Sequence, residues 1–429
     1  MSQKHAVLID DGKGDKPKRY TPEFQTSDEF ARSWKSVLEK SHHRNGPNIT
    51  VTCCCRGAGK KSLSVRHISG SDSYYLARFP SSGPDHDPLC EYFGLDDKST
   101  GLKGYESGVI RDTKDGMLAI KLDIGLTEKD PPVQSDCPPP PAIQRPANGQ
   151  STMSLLGLLS LLWSEARLNF WYPGMAGKRD FSLVRYRLND ASTHIRSGRT
   201  AISDRLFIGT DPNSKAAEQQ NARLSAPDGQ DKRLLLLSLL PRYDEAKHEA
   251  ELKFLPYRYF GGLPLTFFSS TGQWQSVKKR FPAEYAAWRK GGKVVVFVVT
   301  SPPTQTKRGV SVRAQQIALM MVSDNWIPLD SSYEATVASK LDAEQRSYVK
   351  PLRYDASLSE VFPDFCLLDT RAKDPFPMEV FGMTSPAYLA RKALKTDYYN
   401  RNFGPYGWWF WDATVAGPDD ELPPFPARK

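Results

Sequence analysis

Phe362-Pro363-Asp364-Phe365-Cys366-Leu367-Leu368-Asp369, a turn rich in proline and charge, and then Met378-Glu379-Val380-Phe381-Gly382 form the stretch that decides how this chain is read. Two short apolar segments joined by a turn predict a β-hairpin. Asp364 and Glu379 stand 15 positions apart, one on each segment, where paired strands let two carboxylates converge on one hard cation. Alternation sends Glu379 and Phe381 to one side and Val380 to the other, toward the core. Either carboxylate alone means little, because Pro-Asp is a common turn dipeptide and a strand glutamate beside a loop is often just solvated. The pair on apolar strands is the stronger signal, and its chemistry is that of a Mg2+ site for phosphodiester hydrolysis.

Upstream, Ser331-Ser332-Tyr333-Glu334 opens a predicted helix over 331–344 in which Glu334, Val337, Ala338 and Leu341 share the inward stripe. A third carboxylate therefore approaches the same cleft. Ser331 and Glu334 also have the spacing of a capping box, which would give that carboxylate to backbone amides instead. The sequence leaves both open.

A helix glutamate, then Pro-Asp at a strand, then a glutamate in the next strand resembles the PD-(D/E)xK nuclease superfamily. More narrowly, Lys350-Pro351-Leu352-Arg353-Tyr354-Asp355 ahead of the Pro363-Asp364 segment, with Glu379-Val380-Phe381-Gly382, resembles the bacterial domain-of-unknown-function 1173 family. Trp163, Trp171 and Gly177-Lys178-Arg179 extend that resemblance to most of the chain. The superfamily resemblance implies a restriction-endonuclease-like domain and Mg2+-dependent cleavage of DNA, with Asp364 and Glu379 as metal ligands and Glu334 as an auxiliary ligand. The narrower family brings no known activity with it.

One departure matters. The superfamily's lysine, two residues after the acidic residue, is Phe381 here. That lysine helps position the attacking water and stabilises phosphorane-like charge, so its loss leaves open a scaffold without catalysis. Some members carry it on the next helix. Ser385-Pro386 predicts a helix start, and Tyr388, Lys392, Lys395 and Tyr399 form one stripe along that helix. Lys392 is the candidate substitute. Against it, Leu389, Ala390, Ala393 and Leu394 make an apolar face on the other side, which would aim the lysine stripe at solvent. Arg391 and Lys395 are candidate phosphate contacts in either case.

Cys53-x-Cys55 at a predicted hairpin, then His86-x-x-x-Cys90, supplies the four ligands a tetrahedral structural Zn2+ site requires. Cys54 or His67 could replace one of them. The alternative is a small hydrophobic cysteine cluster with His86 at the surface. The same cysteine and histidine pattern also resembles the amino-terminal part of the narrower family. A closed four-ligand set has no open position for water, so zinc there would be structural. Arg56-Gly57-Ala58-Gly59-Lys60 is not a phosphate loop, because GxxxxGK[ST] would need glycine at Cys54 and Ser or Thr at Lys61.

At 429 residues the chain suits two or three domains. A net charge of +9 favours a polyanionic partner, with DNA first. The opening residues hold no apolar run, and the longest apolar stretch, Met153 to Trp163, is broken by Ser154, Gly157 and Ser160. A cytoplasmic protein with no secretory signal and no membrane partner is expected. In that compartment six cysteines read as thiols or metal ligands rather than disulfides.

The expected fold class is multidomain mixed α+β (α/β). Its parts are a β-rich, zinc-binding unit over 1–130, a proline-rich linker over 131–150, a helical region over 151–230, an α/β region over 231–325, a restriction-endonuclease-like domain over 326–415 and a tail over 416–429. Within these, helices are expected at 154–168, 180–196 and 276–289. A strand pair is expected at 234–259, and single strands at 294–300 and 317–322. Trp408, Trp409 and Trp411 read as a buried strand before a base-stacking surface. Three functions follow as expectations: a DNA-acting, Mg2+-dependent phosphodiester hydrolase; a catalytically inactive nuclease-fold nucleic-acid binder; and a zinc-stabilised interaction module. No Ser-His-Asp order or nucleophile elbow supports another hydrolase chemistry.

Overall fold

The computed structural model describes residues 3–12, 16–42, 49–68, 72–113, 117–127, 150–225, 232–248, 265–269, 272–307, 309–356, 361–415 and 422–429. The expected linker, apart from Gln150, lies outside these residues, as does the end of the expected strand pair at Tyr259. Among the described residues the strands form four sheets with helices on and between them, so the fold is mixed α+β as expected.

In the N-terminal unit Val7–Asp10 pairs with Lys18–Tyr20 and Thr50–Cys53, and Ser62–Ile68 and Ser73–Arg78 extend the antiparallel sheet. Alternation is visible along Thr50–Cys53, where Val51 and Cys53 are buried and Thr50 is exposed. Helix Ala31–Ser41 covers this sheet with Leu38.

Helix Leu155–Glu165 is buried on most sides from Leu155 to Trp163, which is why its leucines show no polar stripe there. It packs against helix Phe181–Ser192 and against strands Lys293–Thr300 and Gly309–Val322, so its leucines join the core of the following α/β region. Lys293–Thr300 is an interior strand, paired on both edges and covered on both faces, which is why its β-branched run is continuous.

Three local expectations are corrected. The helix expected to 196 ends at Ser192, where the Ser192 and Thr193 hydroxyls donate back to the carbonyls of Asn189 and Asp190. Ile195–Ser197 then enters a sheet beside Leu118–Ile120. The helix expected over 276–289 is two helices, Gln273–Arg280 and Pro282–Arg289, because Pro282 has no N–H to continue the first and suits the opening turn of the second. The region expected to be helical also contains short strands such as Phe170–Trp171.

That two-residue strand is the edge of the C-terminal sheet. The order across it is Trp409–Asp412, Phe376–Phe381, Phe365–Leu367, Tyr348–Val349 and Phe170–Trp171. The first pair is parallel and the others antiparallel. Helix Ser332–Ala343 covers one face, with Val337, Ala338 and Leu341 against Phe365, Met378 and Val380. Helix Pro386–Phe403 covers the other, with Tyr399 against Phe381 and Trp408. The expected tail is not loose where described: Leu422 and Phe425 pack on the first face, and Arg428 bridges to Thr370.

Candidate functional site

The hairpin of the opening stretch forms. Phe365 pairs with Met378, the last step of a ladder that begins at Leu367 and Phe376, and Asp364, the next residue, lies close enough for its charge to act on Glu379. Asp364 N donates to Met378 O at 2.9 Å, and Asp364 Oδ2 accepts from Val380 N at 2.8 Å. These bonds hold the carboxylate at a cleft of about 570 Å3. Glu379 is 1% exposed, so the solvated alternative does not hold. Lys395 Nζ reaches its two oxygens at 2.8 and 3.0 Å, and the Tyr399 hydroxyl donates to Oε1 at 2.7 Å. Burial first, then the charge of Asp364, push the Glu379 carboxyl up to about 8. Burial works against the Lys395 ammonium, but Asp364 and Glu379 outweigh it and raise its pKa.

The structure thus places Lys395, rather than Lys392, at the glutamate. Lys392 forms an ion pair with Asp412 and lies 5.1 Å from the centre of the Phe381 ring. The apolar face expected to turn inward is the exposed one, with Leu389 46% and Leu394 66% accessible. A buried carboxylate left unpaired costs several kcal/mol, about 3–5, which exceeds what two leucines recover by burial. The helix therefore presents Lys395 and Tyr399 to Glu379. Phe381 is buried against Tyr399 and Trp408, so the position where the superfamily carries lysine is a packing position here. Arg391 lines the cleft and stacks over Tyr388 at 5.2 Å.

Glu334 keeps half of the capping box. Ser331 Oγ accepts from Glu334 N at 3.2 Å, but the Glu334 carboxylate accepts from Asp330 N at 2.9 Å. The same carboxylate pairs with Lys350 Nζ at 2.9 Å, and Lys350 also meets Asp330 at 3.1 Å. Burial pushes Glu334 up to about 8, with Lys350 drawing it back. Lys350, lowered by burial, is raised on balance by Asp330, Glu334 and Asp364. Asp364 therefore acts on two buried Lys–Glu pairs at once. Glu334, Asp364 and Glu379 do not close into a three-ligand group, since each glutamate holds an ammonium instead.

Sequence reasoning missed Lys350, Asp330, Arg353 and Tyr399. Lys350 and Arg353 had a signal, as both belong to the 350–355 run, and Arg353 lines the cleft. A lysine flanked by Val349 and Pro351 inside an apolar stretch demands a buried acid.

The second group does close. Cys53, Cys55, His86 and Cys90 are all buried, and one ligand atom from each lies within 4.8 Å of every other. Cys53 Sγ and Cys90 Sγ are 3.8 Å apart, and His86 Nδ1 is 3.5 Å from Cys55 Sγ and 3.7 Å from Cys90 Sγ. A tetrahedral Zn2+ with Zn–S bonds of about 2.3 Å has S–S edges of about 3.8 Å. The donor set fits, and it can hold a metal ion such as zinc. Backbone N–H groups of Asp87 and Tyr92 point at the sulfurs of Cys55 and Cys90, each at 3.5 Å, as supporting bonds to metal thiolates do. Hydrogen bonds from Cys53 and then Cys90 drive the Cys55 thiol far down, while Cys53 is pushed up to about 12, first by its bond to Cys55. Cys54 and His67 stay outside the group, His67 being bonded to Asp72 at 3.0 Å.

The glycines of the Arg56–Lys60 loop pack beneath this group. A β-carbon on Gly57 would stand 2.0 Å from Asp85 O and 2.6 Å from His86 Cα. Gly57→Ala is therefore expected to displace His86, lower metal retention and cost about 1–3 kcal/mol, as overpacking does. Metal content and thermal melting of the variant check this.

With both sites described, the comparison with known families is decisive. The family model "Protein of unknown function (DUF1173)" matches residues 23–414. The chain belongs to the DUF1173 family. Searches of curated proteins and of solved structures each returned no match. The DUF1173 match spans both the cysteine–histidine group and the carboxylate cleft. The 350–355 run ties this DUF1173 cleft to the buried helix. Lys350 pairs with Glu334, and Asp355 accepts from Tyr105 Oη at 2.5 Å, Ser154 N at 2.8 Å and the Ser154 hydroxyl. Among the described residues no helix is long and apolar enough to cross a membrane.

Proposed function

We propose that the C-terminal domain of this DUF1173 protein is a Mg2+-dependent phosphodiester hydrolase acting on DNA, and that zinc in the N-terminal unit is structural. The observation that supports it is Glu379 on the strand that pairs with the segment following Asp364, under the charge of Asp364, with a lysine from the next helix on that glutamate. This matches the superfamily variant in which the lysine has moved to the following helix, with Lys395 in that role. Both candidate ligands are carboxylates, as a hard cation requires, and an ion there would have to displace Lys395 from Glu379.

Asp364 and Glu379 would hold Mg2+, while Glu334 stays paired with Lys350. Bound there, the ion supplies Lewis-acid polarisation of the phosphate and a more acidic water. Lys395, freed from Glu379, donates to a phosphate oxygen or orients the attacking water. Arg353 and Arg391 at the cleft hold flanking phosphates. Lys392, neutralised by Asp412, supports the helix rather than the chemistry.

Wild type is expected to nick supercoiled plasmid with Mg2+ and not in EDTA. Lys395→Ala should lower nicking by about 10²–10³-fold, the usual loss for a group that stabilises transition-state charge. Lys392→Ala should stay within a few-fold of wild type. The reverse pattern would return the role to Lys392. A folded protein that binds DNA in a salt-sensitive way but never nicks it is the non-catalytic binder. One that does neither is the zinc-stabilised interaction module.

A further inference from the structure

A second cleft, of about 670 Å3, opens between the N-terminal sheet and the helix Phe181–Ser192, and it shares no lining residue with the first. Seven lysine and arginine side chains line it against three carboxylates, interleaved with six aromatic rings. The carboxylates are already engaged: Glu91 with Lys4 at 3.4 Å, Glu165 with Arg78 at 3.1 Å, and Asp190 with the Tyr75 hydroxyl at 2.7 Å. Lys178 and Arg187 remain as cleft-lining cations for an outside anion. Beside Arg187 on the helix, Tyr186 is 55% exposed at the rim of the cleft.

The wall opposite includes Arg167 and Tyr92. Arg167 has φ +56°, a left-handed conformation that glycine or asparagine adopts at less cost. Its guanidinium lies 4.1 Å from the centre of the Phe170 ring and donates to Phe93 O and the Tyr172 hydroxyl. The left-handed residue closes helix Leu155–Glu165, with Leu168 N donating to Trp163 O and Arg167 N to Ser164 O. The metal group braces the same wall, since Tyr92 N donates to Cys90 Sγ and Tyr92 lines the cleft.

We infer that this cleft binds an unpaired nucleic-acid strand. Phosphates lie along Lys178, Arg187 and Arg66, and bases stack on Tyr186 and Trp34. Cations alone would suit any polyanion. Aromatic faces inside a concavity are open to bases only when those bases are unpaired, which favours a single strand over a duplex and over an acidic peptide. The inference rests on the reading of the chain as DNA-acting, but on residues the hydrolysis does not use.

The test is fluorescence anisotropy of labelled oligothymidylate with the zinc-loaded full chain in buffer without Mg2+, so that cleavage plays no part. Tyr186→Ala should weaken binding about tenfold, as loss of one stacked base does. Arg187→Glu with Lys178→Glu should flatten the salt dependence by about 0.7 in log–log slope for each phosphate that is no longer neutralised. A protein that binds the strand here but never nicks DNA with Mg2+ overturns the hydrolase reading and leaves this one standing. Duplex bound as tightly as the single strand, polyglutamate displacing the strand, or unchanged binding by Tyr186→Ala would each overturn the inference.

Discussion

Cys90→Ser is expected to leave the purified protein without bound zinc and to destabilise the N-terminal unit by several kcal/mol. Cys90 is fully buried, 3.8 Å from Cys53 Sγ and 3.7 Å from His86 Nδ1. Three remaining donors make a poor structural site, and a serine hydroxyl is a far weaker ligand than a thiolate. Structural zinc in isolated finger peptides carries about 10–16 kcal/mol of folding free energy. The loss here is smaller, because the five-stranded sheet has its own apolar core with Leu38, Val51 and Leu63. Metal analysis should find close to one zinc per wild-type chain, with Cys54→Ser retaining it because Cys54 is outside the group. Affinity should fall on acidification, since the ligands must lose protons to bind. Stoichiometric zinc in Cys90→Ser, or none in wild type prepared with zinc present, would remove the site.

Legibility followed the range over which each feature is decided. The 362–382 hairpin and the cysteine–histidine spacing are local patterns, with alternation in one and short ligand intervals in the other, and the structure forms the hairpin and closes the cysteine–histidine group. Helix Pro386–Phe403 was ambiguous for a physical reason. It carries two stripes that each qualify as inward, and what decides between them is Glu379 on another element, which takes Lys395 and Tyr399. Strand Phe170–Trp171 is too short to show any period, yet it completes the C-terminal sheet and brings Phe170 into the core of the N-terminal unit. The Lys350–Glu334 pair joins residues on a strand end and a helix, where no periodicity links them.

Glu379→Gln is expected to lower Mg2+-dependent nicking on the order of 10⁴-fold, the scale seen when a member of a catalytic unit is removed. The amide keeps the shape and can still accept from Tyr399, but it carries no charge for Lys395 or for a divalent ion. The pH dependence separates this from simple misfolding. With Glu379 pushed up to about 8, a proton must leave before the carboxylate can hold a cation. Wild-type nicking should therefore rise about tenfold per pH unit from 6 toward 8 and level off above it. Stability has the opposite sign. A carboxyl raised from 4.5 to about 8 on folding contributes stability that is fully present below its unfolded pKa and is lost as pH rises through the folded one. Wild type should thus lose stability relative to Glu379→Gln between pH 5 and 9, with Glu334, also near 8, giving both proteins a shared remainder. Identical melting curves across that window, with nicking insensitive to the substitution, would show that Glu379 neither carries the buried proton nor serves the reaction.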